Sequence, residues 1–239
     1  MKRTSIILTA LLVSLTAGAQ DDEVYQMEMG GAVGLDFYMG DANKRPFRHS
    51  GAMGGLLIRR VFNPRMVLKA DLTAGHLSGN TKGYYIPQDA DSRTPEGGMP
   101  VSYLFKRNVV DLGAQFEFNF WGYGIGQTYR GNSRITPYAL LGAGLTLVTG
   151  GGGGTKVALN APVGLGVKYK LKPRVNVGAE WTFRFTTTDA LDTRGGWKQL
   201  DQPYGIKSTG FKNKDCYSYL MFFVTYDMLP KCKTCHNND

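Results

Sequence analysis

The stretch VDLGAQFEFNF, from Val110 to Phe120, alternates apolar and polar side chains without interruption. Such a period of two is typical of a β-strand with one apolar and one polar face. Ordinary globular strands run to ~5–6 residues, whereas a tilted membrane-spanning strand needs ~9–11. The length of this stretch therefore predicts one strand of a membrane barrel.

The same alternation returns along most of the chain. Further patterned runs lie at Tyr25–Met39, Met66–Ala74, Ile135–Leu147, Val157–Leu171, Val175–Phe185 and about Tyr217–Tyr226, with a less clearly patterned run at Gly51–Phe62. Counted together with the first stretch, these runs predict about eight strands. Because no later segment is an unbroken apolar run of helical spanning length, a helical membrane protein is excluded.

The connections between these runs alternate in length. Tight turns are predicted at 63–65 and 172–174 from their Pro and Asn chemistry. Long polar loops are predicted at 40–50, 78–107 and 188–213, while a long turn at 121–134 and a short glycine-rich loop at 150–154 depart from the rule. The pattern predicts an all-β transmembrane antiparallel barrel with short periplasmic turns and longer extracellular loops.

The first residues have the order of a secretory signal. A basic start is followed by an apolar run and then by Ala17-Gly18-Ala19, and the apolar run is too short for a spanning helix. We expect a signal peptide at 1–19, an outer-membrane barrel at 20–229 and a periplasmic tail at 230–239.

The polar faces of the predicted strands carry charges of both signs. The inward-facing charges are Glu28, Asp36, Lys69, Asp71, Asp111, Glu117, Lys168, Glu180 and Arg184. An eight-stranded barrel has an interior only wide enough for its own side chains. These residues are therefore predicted to form a charge network that closes the lumen, and a pore for solutes is not expected.

The net charge of +9 comes from scattered basic residues, and none of them form a cluster interleaved with stacking aromatics, so no nucleic acid partner is expected. The predicted periplasmic rim has a basic excess. Its cations are Arg130, Arg134, Lys172, Arg174, Lys231 and Lys233, offset in part by Asp21, Asp22 and Glu23. This rim is either a solvated edge or a surface for an acidic partner.

Cys232-Lys-Thr-Cys235-His236 has the spacing of covalent haem attachment. No domain surrounds this motif to shield a haem, and its three ligands are one short of a closed zinc site. A disulfide or a cross-link to a partner through Cys232 or Cys235 is favoured in an oxidising periplasm, and neither cofactor nor metal is expected. Cys216 is interpreted as a small apolar strand residue.

His76 and Ser78 form an H-x-S pair similar to the catalytic pair of barrel enzymes that deacylate lipid A. No carboxylate that would orient the histidine is evident nearby, and a catalytic triad depends on geometry more than on residue identity. The sequence therefore predicts no enzymatic activity and no catalytic residue.

Several fragments, in order, resemble the PorG family over most of the chain. They are Asn63-Pro64-Arg65 through Leu77-Ser78-Gly79, Gln115–Phe120, Thr136-Pro137-Tyr138 leading into Gly142-Ala143-Gly144, Gly164–Tyr169, Gly178–Trp181 and Thr188–Asp192. One departure is Thr193-Arg194, where the family pattern leads us to expect a second acidic residue.

The resemblance implies a non-catalytic outer-membrane component of the type IX secretion system. Its implied partners are outer-membrane lipids and the periplasmic ring-forming secretion proteins, one of them a lipoprotein, which the barrel anchors. Secreted substrates pass through a different, larger barrel in that system, in agreement with a closed lumen. The alternative is a free-standing small barrel of the OmpA or OmpW kind that stabilises the envelope or binds a small apolar ligand.

Overall fold

The computed structural model describes residues 25–39, 49–80, 104–124, 132–150, 154–187 and 215–230. These residues form eight strands. In chain order they are β1 (Tyr25–Met39), β2 (Gly51–Asn63), β3 (Met66–Asn80), β4 (Leu104–Asn119), β5 (Ile135–Thr149), β6 (Lys156–Lys172), β7 (Val175–Thr186) and β8 (Cys216–Pro230). The predicted signal peptide, Cys232 and Cys235 lie outside the described residues.

Each strand pairs antiparallel with the next, and β8 returns to pair with β1 from Tyr25↔Pro230 to Met39↔Cys216. This last ladder closes the sheet into a barrel. Closure pairs the backbone N–H and C=O groups that lipid cannot satisfy. In the described part of the chain, no helix has the length and apolarity needed to cross a membrane. The predicted fold class, a closed all-β barrel of eight strands, is confirmed.

The strands run from 12 to 17 residues, which is long enough to cross a membrane at a tilt. At the β2–β3 turn, Asn63 Oδ1 accepts hydrogen bonds from the backbone amides of Arg65 at 2.9 Å and Met66 at 2.8 Å. The β6–β7 turn, at 173–174, is equally short and lies at the same end. Short turns face the periplasm in outer-membrane barrels, so we take this as the periplasmic end.

Several strands extend beyond their predicted ends. β3 continues to Asn80 and β4 begins at Leu104, so both ends of the loop predicted at 78–107 belong to the sheet. β8 includes Pro230, which the prediction placed in the tail at 230–239. Backbone ladder hydrogen bonds do not depend on side-chain polarity, so pairing continues after the apolar alternation has stopped.

Alternation sorts the side chains into an inner and an outer face. In β4, Asp111 and Glu117 are fully buried, whereas Leu112 is 57% and Phe116 44% exposed. Exposed apolar side chains occur on all eight strands, so the outer face is apolar around the whole barrel. Towards the periplasmic end, an aromatic girdle of the kind found at membrane interfaces is formed by Phe62, Phe118, Phe120, Trp121, Tyr169 and Tyr226.

Candidate functional site in the barrel lumen

The nine charged residues assigned to the lumen from the sequence all point into the barrel. None of them is more than 3% exposed. They are not one network, however, because the structure divides eight of them between two clusters and leaves Asp36 apart from both. The two clusters occupy different halves of the lumen and stabilise their carboxylates by different means.

The periplasmic cluster joins six strands in the half of the lumen nearer the periplasm. Its members are Glu28, Arg59, Lys69, Glu117, Lys168 and Glu180. The Glu117 carboxylate accepts hydrogen bonds from Arg59 Nε at 2.9 Å and Lys168 Nζ at 2.6 Å. Lys69 Nζ donates to both carboxylate oxygens of Glu180, at 2.6 and 2.7 Å. The cluster is thus neutral, with three cations and three carboxylates.

Arg59 connects the members of this cluster. Its Nη atoms lie 3.6 Å from Glu28 and 3.8 Å from Glu180. The Tyr138 phenol donates a hydrogen bond to Glu180 at 2.6 Å. Its ring lies over Gly166 on the paired strand β6, where a Cβ would come within 2.4 Å of it, so the position has no space for a side chain. Since a buried charge is costly unless it is paired and hydrogen-bonded, this density of pairs is what allows six charges to fill the lumen.

The external cluster occupies the other half of the lumen. Its members are Asp71, Asp111, Gln115, Thr146, Asn160, Arg184, Tyr217 and Tyr219. Arg184 donates to Asp71 at 2.8 Å and lies 4.0 Å from Asp111. Asp111 also accepts hydrogen bonds from the phenols of Tyr217, at 2.5 Å, and Tyr219. One cation therefore serves two carboxylates, and neutral hydroxyl donors satisfy the second.

Asp36 lies near the external end of β1 and joins neither cluster. Among the described residues it takes part in no ion pair with a lysine or arginine. Two glycines provide the space for its carboxylate, because a Cβ on Gly51 or Gly75 would come within 2.3 or 2.1 Å of its oxygens. Asp36 is thus buried as predicted but is not a member of a charge network.

The β4–β5 connection, predicted only as a long turn, contributes Tyr123 to the periplasmic mouth. The Tyr123 phenol donates to Asn176 Oδ1 at 2.8 Å, and its ring lies 5.5 Å from Lys170 Nζ. Burial raises the pKa of Tyr123 well above its usual value, so the phenol keeps its proton. Lys170 in turn binds Asp227 at 2.5 Å. Side chains therefore close the mouth below the periplasmic cluster.

Residues 2–237 match the protein family described as Domain of unknown function (DUF6089). The chain belongs to this family. No curated protein sequence is significantly similar to it.

Among solved structures, Neisserial surface protein A is similar at 14% identity and a TM-score of 0.50, covering 84% of this chain and 97% of that one. The outer membrane protein OprG from Pseudomonas aeruginosa shares 12% identity at a TM-score of 0.45, covering 88% and 99%. Ail from Yersinia pestis shares 12% identity at a TM-score of 0.43, covering 85% and 99%. At these identities the likeness shows the fold alone. This DUF6089 protein is an outer-membrane β-barrel.

Five further buried charges of the DUF6089 barrel were missing from the sequence prediction. They are Arg59, Arg107, Lys170, Asp215 and Asp227. Arg59 is followed directly by Arg60, so the alternation alone did not decide which of the two faces inward. The inward position of Lys170 could have been predicted, because it lies two residues after Lys168 and thus on the same face of β6. Asp227 lies just beyond the predicted end of its strand.

The H-x-S pair of the DUF6089 barrel does not form a hydrogen-bonded couple. His76 Nδ1 lies 2.7 Å from Asn108 Oδ1, and Ser78 Oγ donates to the backbone carbonyl of His49 at 3.1 Å. Cys216 is half-buried, with its thiol 2.9 Å from the carbonyl of Met39. Within the described ranges, no group of three or more His, Cys, Asp or Glu could hold a metal ion.

Proposed function

We propose that this barrel is a non-catalytic component of the type IX protein secretion system that anchors the periplasmic ring complex to the outer membrane. The proposal rests on the resemblance of its sequence fragments to the PorG family. The DUF6089 barrel is compatible with that role, because an anchor needs a stable membrane-embedded body and no passage through its centre.

The filled lumen is the single observation that favours an anchor over a conduit. Arg59, Lys69 and Lys168 are each fully buried and lie within 4 Å of at least one carboxylate. Opening a water-filled passage would require these pairs to separate and their side chains to leave the axis. A buried pair that loses one partner is destabilised by about 3–5 kcal/mol. Function is therefore expected on the rims of the barrel.

Deletion of the gene in its native bacterium tests the proposal. We expect the deletion strain to retain type IX cargo inside the cell, and to lose ring proteins from the outer-membrane fraction, with both defects restored by the wild-type gene. Normal cargo export with normal ring recovery would remove the secretion role. An envelope that then becomes sensitive to detergent would favour the free-standing OmpA-like or OmpW-like barrel instead.

The C-terminal tail gives a second, narrower test of ring association. Cys232 and Cys235 follow β8 in the sequence, and β8 ends on the periplasmic side. We propose that one of these thiols forms a disulfide to a ring protein in the oxidising periplasm. Non-reducing gels of envelopes should show a high-mass band that Cys232→Ser or Cys235→Ser removes, with Cys216→Ser as the matched control. If all three variants give the wild-type pattern and ring recovery, the cross-link does not exist.

A further inference from the structure

Arg60 is a cation on the outer, lipid-facing surface of the barrel. Its side chain is exposed, and its neighbours on that face are apolar. Ile58 and Phe62 flank it on β2, while Met27 of β1 and Leu68 of β3 lie opposite it in the two ladders. A charge in such surroundings needs a counter-charge, because the hydrocarbon of a membrane offers none.

Arg60 has no carboxylate partner in the described part of the chain. The preceding residue, Arg59, faces inward and binds Glu117 at 2.9 Å, whereas no ion pair of the described residues includes Arg60. Its guanidinium instead lies 5.9 Å from the centroid of the Phe62 ring. A cation–π contact positions a guanidinium without neutralising its charge. The counter-charge is therefore expected from a molecule other than this chain.

The depth of Arg60 selects lipid as the source of that counter-charge. Phe62 belongs to the aromatic girdle, and Arg60 lies two residues further from the periplasmic turn, on the membrane side of Phe62. Its ladder partner Leu68 likewise lies two residues further into the membrane than Met66, which pairs with the girdle residue Phe118. A girdle marks the level of the headgroups, to which long basic side chains reach. The anion at that level is a lipid phosphate.

An apolar groove opens on the same outer face, nearer the middle of the membrane. Its volume is about 660 Å³, within the ~300–1,000 Å³ of ordinary ligand pockets. Gly31 forms its floor, and a Cβ at that position would have only the Gly55 carbonyl within 4 Å, at 3.6 Å. The outward side chains that form its walls are Val33, Val177, Phe222 and Val224. We call this feature the Gly31 groove.

The strand register connects Arg60 to the Gly31 groove. Arg60 pairs with Met27 of β1, and Met29 and Gly31 are the next two positions on the same face of that strand. The four residues from Met27 to Gly31 span ~13 Å along the strand. One leaflet contributes about half of the ~30 Å of hydrocarbon in a bilayer. A lipid whose headgroup lies at Arg60 can therefore place an acyl chain in the groove.

We propose that Arg60 and the Gly31 groove form one binding site for a glycerophospholipid of the periplasmic leaflet. The lipid phosphate binds the Arg60 guanidinium, and one acyl chain lies in the groove. This site holds its lipid more tightly than the rest of the outer face does. The inference goes beyond the secretion role and does not depend on it, because it requires only that the barrel is seated in the outer membrane.

The test is a lipid titration of the purified protein in detergent, followed by native mass spectrometry, which gives separate dissociation constants for the first and later lipids. The probe is phosphatidylglycerol. Diacylglycerol with the same chains lacks the phosphate, and inorganic phosphate, added as a competitor, lacks the chains. These two arms distinguish a phospholipid site from an apolar groove alone and from an anion site alone.

Two variants address the two parts of the site, each with a matched control. Arg60→Gln removes the charge at the girdle, and Arg65→Gln removes the same charge from the β2–β3 turn beyond it. Gly31→Leu fills the groove, and Ala143→Leu adds the same side chain to the outer face of β5. A heat-induced gel shift shows that each barrel is folded. Since Arg60 is exposed, Arg60→Gln decides the proposal even if Gly31→Leu does not fold.

Wild-type protein should bind its first phosphatidylglycerol at least about fivefold more tightly than later ones, the ratio that corresponds to ≈ 1 kcal/mol per arginine near an anionic surface. Arg60→Gln should abolish this preference and leave diacylglycerol binding unchanged, whereas Gly31→Leu should weaken the binding of both lipids. Both controls should stay within about twofold of wild type, because neither changes the charge at the girdle or the groove. Inorganic phosphate should not compete.

Three results would overturn the proposal. A first lipid bound no more tightly than later ones would show that exchanging lipid alone covers this face. Equal weakening by Arg60→Gln and Arg65→Gln would show that overall positive charge, rather than a site, attracts the lipid. Full competition by inorganic phosphate would identify an anion site that takes no part of the acyl chain.

Discussion

The two clusters inside the barrel solve the same problem in different ways. In the periplasmic cluster, three carboxylates face three cations, and Glu117 contacts both Arg59 and Lys168 below 3 Å. In the external cluster, Arg184 is the only cation among the eight members, and Asp111 is satisfied largely by hydroxyl groups. In one half of the lumen cations balance the carboxylates, and in the other half neutral hydrogen-bond donors stabilise a carboxylate that has no cation of its own.

This difference teaches where the barrel is vulnerable. A residue in a charge-balanced cluster cannot lose its charge without leaving a buried partner uncompensated, which is expensive. A carboxylate held by neutral donors leaves behind groups that carry no net charge and that can find other acceptors. We therefore expect substitutions of equal size to cost more in the periplasmic cluster than in the external one.

Glu117→Gln should have the largest effect. The substitution keeps the size of the side chain but leaves Arg59, Lys69 and Lys168 facing only two carboxylates. We expect unfolding in detergent micelles, followed by urea titration, to show a loss of about 3–5 kcal/mol. Combining it with Lys168→Met restores the charge balance, and the double variant should recover part of the loss. A Glu117→Gln protein that unfolds at the wild-type urea concentration would show that charge balance does not stabilise this half.

Asp111→Asn should have an intermediate effect of about 2 kcal/mol. Its amide oxygen still accepts a hydrogen bond, and Arg184 keeps its 2.8 Å contact with Asp71. The same urea titration measures the loss, with the Glu117→Gln value as the reference. An Asp111→Asn loss equal to or greater than that of Glu117→Gln would remove the distinction between the two clusters.

Much of this architecture follows from the sequence, because alternation fixes the face on which a residue lies. Asp111 and Glu117 are separated by an even number of residues in one strand, so their side chains lie on the same face. Because the other face is apolar, both were predicted to face inward. The division into two clusters did not follow. It depends on the stagger between strands, which brings Lys69 of β3 against Glu180 of β7 across the lumen, 111 residues apart.

Alternation also cannot assign a face where two adjacent residues are of the same type. Arg59 and Arg60 are adjacent, and only the paired backbone shows that the first enters the lumen and the second faces outward. The basic excess at the periplasmic rim was predicted in part, since Arg134, Lys172 and Arg174 could be assigned to that end. Six of the eight described acids were assigned to the lumen from the alternation, and the structure buries them. Asp215 and Asp227 were missed because they lie just outside the predicted ends of the last strand.

The smallest effects are expected from the same Tyr→Phe substitution made separately in each cluster. Tyr219→Phe removes a phenol donor from Asp111, whereas Tyr138→Phe removes one from Glu180. Glu180 retains both of its bonds from Lys69, so its charge stays compensated, and Tyr138→Phe should cost the lower part of the usual range of about 0.5–1.5 kcal/mol for one hydrogen bond. Tyr219→Phe should cost the upper part, because Asp111 has no lysine in contact and depends on its hydroxyl donors. Equal losses in parallel urea titrations, or a larger loss for Tyr138→Phe, would mean that the ion pairs of Glu180 do not make it less dependent on its phenol donor than Asp111 is.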